Sequence, residues 1–197
     1  MRDDMRIGEI IESNTTSFVA GAYELLNAPP FGALVRAEGR DGCAAYGVVY
    51  NIETTSREMG GRAIVRGREG MYDADIYLEN PDLESVLQTE FHALIVGYCD
   101  GPTIRQHLPS HPPPTHYSVY LCDGDELRRF TDRLHFCRTV LNAADVPQEE
   151  LLAATLRQAA AVQSDPRAFL VAAGRSLAML LREDHPRLLA ILEGMRP

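Results

Sequence analysis

Three histidines, His107, His111 and His116, fall in one proline-rich stretch, and converging imidazoles would be a metal-binding set. Cys99, Asp100 or Cys122 could complete it with a thiolate or carboxylate. The prolines between Pro109 and Pro114 argue otherwise, because they impose an extended path of about 3.1 Å per residue that spreads the imidazoles apart. Asp123, Asp125 and Glu126 offer paired carboxylates, but the D-x-D-x-D-G calcium loop is absent and they immediately precede a helical pattern. Capping that helix is the economical use of them. His135 and Cys137 lie two apart on the same helical pattern and so point in different directions. No Gly-x-Ser-x-Gly elbow or Cys/His nucleophile signature is present. All 19 basic side chains are arginine, which excludes a Gly-Lys-Ser/Thr phosphate loop, Schiff-base lysine chemistry and pyridoxal attachment. The expectation is a protein that is not an enzyme, with no catalytic residue, no metal ligand and no cofactor.

Arginine chemistry remains. Arg57, Arg62, Arg66 and Arg68 crowd the Gly-rich segment Thr54–Met71, where they could contact a phosphate backbone or an acidic partner. Tyr46, Tyr50, Tyr72 and Tyr77 could add stacking platforms for single-stranded nucleic acid. Against that, the 28 acidic residues leave a formal net charge of -9, which removes the general attraction to polyphosphate. Nucleic-acid binding is therefore the alternative reading, behind protein–protein interaction.

Two grammars position these groups. Arg6–Glu12, Ser17–Glu24, Ala33–Ala37, Ala44–Glu53, Phe91–Tyr98 and Tyr117–Leu121 are short β-branched or aromatic runs with turn residues between them. Six short strands with few intervening helices predict a closed barrel. A helical turn or two is expected at Pro81–Thr89, and a short strand at Ala63–Val65. After Asp123 the period becomes helical: Gly124–Ala144, Gln148–Gln163, a third helix opened by Asp165-Pro166 and running to about Arg182, and a fourth opened by Asp184 and Pro186 and ending at Gly194. The chain divides into a barrel over 5–123 and a helical bundle over 124–197. It is a segregated α+β arrangement. The charged start and the lack of any apolar run of about 20 residues predict no secretion signal, no membrane contact and a cytoplasmic location, with Cys43, Cys99, Cys122 and Cys137 reduced.

Read in order, Ile7–Ile11 (IGEII), Ser13–Phe18 (SNTTSF), Pro29–Val35 (PPFGALV) and Gly47–Ile52 (GVVYNI) resemble a HAS barrel. That six-stranded β-barrel opens HerA-type DNA-translocating ATPases and the rotary ATP synthase subunits. Ala93–Tyr98 (ALIVGY), Pro109–Pro114 and Ser118–Arg129 (SVYLCDGDELRR) are similar to the end of the HerA-type barrel. Gly8, Gly32 and Gly47 fall where barrel strands bend or approach closely. The ATPase core that follows in that family has no counterpart here. The resemblance implies an assembly or adaptor role, as an accessory subunit of a separately encoded HerA-like motor ATPase or nuclease complex in DNA processing. In the third helix, apolar residues spread round more than one face, so Phe169, Leu177 and Leu181 are expected in a homo-oligomer interface.

Overall fold

The computed structural model describes residues 5–58 and 60–196. All six expected strands form: β1 (Arg6–Ser13), β2 (Ser17–Ala22), β3 (Leu34–Glu38), β4 (Ala44–Ser56), β5 (Leu87–Asp100) and, after a three-residue β6 (Thr103–Arg105), β7 (Ser118–Leu121). Hydrogen-bonded neighbours run β2-β1-β7-β3-β4-β5, and β2 also pairs with β5. That last pairing closes a six-strand antiparallel barrel and leaves no open edge around the ring. β6 folds back on the end of β5 as a hairpin extension. It is too short to carry a period in sequence.

Alternation along the strands makes two apolar surfaces. Ile10, Phe18, Val35, Val49, Phe91, Ile95 and Val119 point inward and, with five alanines, fill the barrel as one buried cluster. Gly47 belongs to this layer, because a Cβ there would stand 2.9 Å from both the Phe18 ring and the Ala93 methyl. The opposite faces of β3, β4 and β5 present Leu34, Tyr46, Val48, Leu94 and Val96 outward, yet these are buried as well.

Helices cover them. α3 (Gly124–Thr131), α4 (Phe136–Leu141) and α5 (Gln148–Ala161) bring Phe130, Phe136, Val140, Leu151, Leu152 and Leu156 onto that face. Phe130 stands 5.0 Å from Tyr46 and 5.5 Å from Phe136, both in tilted geometry. α6 (Pro166–Leu180) and α7 (His185–Gly194) pack on α5 and extend the same cluster through Ala173, Leu177, Leu181, Ile191 and Met195. The outer sheet face and the helices thus share one core. Gly32, at φ +82, lets the β2–β3 link lie against α5, where a Cβ would meet Ala154 at 2.7 Å.

The helix starts follow their capping residues. Asp123, Asp165 and Asp184 each accept a hydrogen bond from the backbone N–H three residues on, at 2.7, 2.9 and 3.2 Å. Two expectations are corrected. Gly124–Ala144 is not one helix but α3 and α4, separated at 132–135. The cause is Gln106: its Nε2 donates to the carbonyls of Phe130 and Arg133, both at 2.7 Å, and its Oε1 accepts from Phe136 N–H at 3.0 Å. The carbonyls that would have continued the helix are captured from outside it. Residues 63–65 form no strand; the nearest pairing is the isolated bridge Arg68–Met71. At 81–89 the expected helical turn forms as α2 (Leu83–Val86), and β5 begins at Leu87.

Candidate functional site

β4 and β5 stay paired well beyond the barrel wall, as far as Ser56–Leu87. Thr54 and Thr89 face each other there with hydroxyls 2.9 Å apart. Residues 57–86 leave and return at that one point, and Arg57 N–H donating to the Val86 carbonyl at 2.9 Å closes the neck. The excursion carries α1 (Ala74–Glu79) and α2, and none of its described residues belongs to either main core. Met71 and Leu83 are buried within it. Several of its large apolar side chains face outward: Val65 is 95% exposed, Leu78 77%, Ile64 74% and Tyr72 58%. Ile64, Val65, Ile76, Tyr77 and Val86 line an open groove of about 490 Å³, rimmed by Arg62 and Arg66.

The four arginines of the sequence reading have different surroundings. Arg57 Nε donates to the Leu87 carbonyl at 2.9 Å. Arg66 pairs with Asp82 at 2.7 Å and donates to Asn80 Oδ1 at 3.2 Å. Arg66 spends its charge on Asp82, whereas Arg57 is exposed and gives one N–H to the neck. Arg62 and Arg68 are exposed. Of the four tyrosines, Tyr46 is buried, with its hydroxyl donating to Glu126 Oε1 at 2.9 Å. Tyr50 packs edge-on to His92. Only Tyr72 and Tyr77 lie exposed on the excursion.

The structure does not gather the histidines. His116 Nδ1 lies 2.6 Å from Glu9 Oε1, while His107 and His111 line separate clefts. A grouping the sequence reading missed is Glu53, Glu90 and His92, whose ligand atoms lie within 4.8 Å of one another on paired strands. His92 Nε2 is 2.8 Å from Glu53 Oε1, so imidazole and carboxylate already satisfy each other. Desolvation, then the neighbouring Glu53, push the Glu90 carboxyl above its ordinary range.

Glu126 joins the barrel wall to α3. Beside the Tyr46 bond, Arg36 Nε lies 3.2 Å from Glu126 Oε1, an ion pair whose geometry is not that of a hydrogen bond. Arg36 also pairs with Glu38 at 3.1 Å and stands over the Tyr120 ring. Arg36 and Tyr46 on the barrel both converge on Glu126 of α3, so the cluster fastens helix to barrel although Arg36 Nε itself has no hydrogen-bond partner.

A second arginine group was also missed. Arg105, Arg129 and Arg133, with His107 and His135, line a cleft of about 310 Å³ between β6 and the α3–α4 break. Arg129 and Arg133 are four apart on a helical pattern, which sequence could have flagged; Arg105 is distant in sequence.

In the tail, Leu177 and Leu181 are buried within the chain and Phe169 is half-buried against the same core. The outward apolar groups of these helices are instead Val171, Met179 and Leu189. No helix among the described residues is long and apolar enough to cross a membrane. No protein-family model matches the chain, and a search of curated proteins finds no relative.

Proposed function

We propose that this protein is a non-catalytic assembly subunit that presents the 57–86 excursion to a protein partner. The observation that carries the reading is the excursion's exposed apolar surface on a segment closed at a narrow neck. Single surface leucines need no explanation, but several large apolar side chains beside a groove mark an interaction site. Arg62 on the groove's rim, exposed and outside any ion pair among the described residues, favours a partner with a carboxylate beside an apolar centre.

The partner proposed is a separately encoded HerA-like motor ATPase or nuclease of DNA processing. Support for that part is the order of the HAS-like phrases together with a closed six-strand barrel, a fold-level argument. The alternative, a single-strand grip by the 54–71 arginines, has less support because Arg57 and Arg66 are engaged within the chain and Tyr46 is buried.

Co-expression with a HerA-like ATPase and its nuclease, followed by size-exclusion chromatography with light scattering, tests the proposal. A defined complex is expected, lost when Ile64, Val65 and Leu78 are replaced by serine. Elution of the intact protein apart from both would refute the partner assignment. A complex indifferent to the three replacements would refute the surface.

A further inference from the structure

We infer that the cleft between β6 and the α3–α4 break is a binding site for a small organic phosphate of about nucleotide size. Its walls are Arg105 and His107 on one side and Arg129, Arg133 and His135 on the other, with Asp132 the one carboxylate among the lining residues. The protein as a whole carries a net charge of -9, so a local excess of cations here runs against the average field. Among the described residues, none of Arg105, Arg129 and Arg133 makes an ion pair, whereas Arg36, Arg66, Arg128 and Arg187 each do. Three exposed arginines without ion-pair partners line one cleft, so their charge is available to an anion bound there, more so at low salt.

The arrangement is held open rather than left to chance. Gln106, flanked by Arg105 and His107, commits both faces of its amide to Phe130, Arg133 and Phe136. That clamp breaks the helix between Arg129 and His135 and fixes both walls relative to each other. Binding sites gain from such preorganisation, because ordering costs are not charged to the ligand.

The chemistry of the lining selects the ligand class. Guanidinium forks match the geometry of phosphate oxygens and hold them bidentately. Half-buried Ile104 is the apolar side chain with surface to offer among the lining residues, and it gives the carbon skeleton of an organic phosphate a contact that a free inorganic ion would not use. The volume is at the lower end for small-molecule sites. No exposed aromatic side chain lines the cleft to stack successive bases, so a single phosphorylated unit fits better than a polynucleotide.

Calorimetric titration of the full chain with adenosine 5′-monophosphate, adenosine and inorganic phosphate tests this inference. The monophosphate is expected to bind, more weakly as salt rises, while adenosine does not; inorganic phosphate should bind less tightly than the monophosphate. The double replacement Arg129→Ala, Arg133→Ala should weaken binding on the order of tenfold or more. Arg167→Ala, at an exposed position on α6, should leave it unchanged. No binding of any phosphate, or equal losses from the double replacement and from Arg167→Ala, would overturn the site. A 5′-phosphorylated oligonucleotide that binds far more tightly than the mononucleotide would overturn the assignment to a small molecule. Because the cleft and the excursion share no residue, these outcomes are independent of the partner test above.

Discussion

The four thiols illustrate how environment sets reactivity residue by residue. Cys122 and Cys137 are buried; desolvation pushes Cys137 up to about 12 and Cys122 well above the ordinary thiol range. Cys43 and Cys99 are partly exposed. Iodoacetamide at pH 8 on the native protein should therefore label Cys43 and Cys99 at most, with Cys122 and Cys137 labelled only after denaturation. Peptide mapping showing early modification of Cys137 would contradict the described burial. Glu90 makes a second case, because its carboxyl is raised by desolvation and then by Glu53 directly across the ladder. A raised carboxyl means that the ionised form is penalised in the folded state, so stability is lost as pH rises through the folded value and recovered below it. Glu90→Gln should stabilise the fold by a few tenths of a kcal/mol at pH 7. The gain should vanish below about pH 4, where carboxyls are protonated in both states. Thermal melts at the two pH values check the sign; a stabilisation larger in acid would refute it.

At the scale of elements, one side chain decides where a helix stops. Gln106→Ala leaves the Phe136 N–H and two carbonyls without their partner, and should cost about 1–3 kcal/mol in urea unfolding. Gln106→Glu, which sets a carboxylate oxygen against the Phe130 and Arg133 carbonyls, should cost at least as much; a smaller loss than alanine's would mean that donation to those carbonyls is immaterial. The same residue marks what sequence can reveal. Strand alternation announced β1 to β5 and β7, since each has one face toward the barrel interior and a different environment outside. Asp-Pro and Asp-x-Pro announced α6 and α7, because caps are local chemistry. The break at 132–135 was invisible, since the agent that causes it lies 24 to 30 residues away. The basic cleft was hidden for the same reason: its two walls meet only after β6 has folded back on β5. The excursion's arginines were legible as a cluster, but not that Asp82 and the Leu87 carbonyl would claim two of them.

For the whole molecule, the disposition of apolar surface governs association. Leu177 and Leu181 lie in the core that α5, α6 and α7 share with the barrel wall. Replacing both with glutamate should unfold the helices, by several kcal/mol, rather than separate intact copies. A homo-oligomer through the tail would use the outer face of α6, where Met179 is 73% exposed and Val171 lies two turns before it. Val171→Glu with Met179→Glu should then convert a dimer to monomer by light scattering without lowering the melting temperature. A wild-type monomer at tens of micromolar would dispose of this interface.

The neck of the excursion also has a mechanical meaning. A load applied through residues 57–86 pulls the ends of β4 and β5 apart in the unzipping direction. It meets Ser56–Leu87, Thr55–Gln88 and Thr54–Thr89 one pair at a time. From Glu90 onward β5 is also bonded to β2, through Gly21–Glu90 and Ala20–Phe91, so opening the closed ring there means breaking two ladders at once. The free ladder is thus a compliant tether in series with a stiff anchor. Optical-trap handles at positions 64 and 78 should give a low-force, reversible extension of a few residues before any high-force rupture; a single rupture event would show that the two parts yield together.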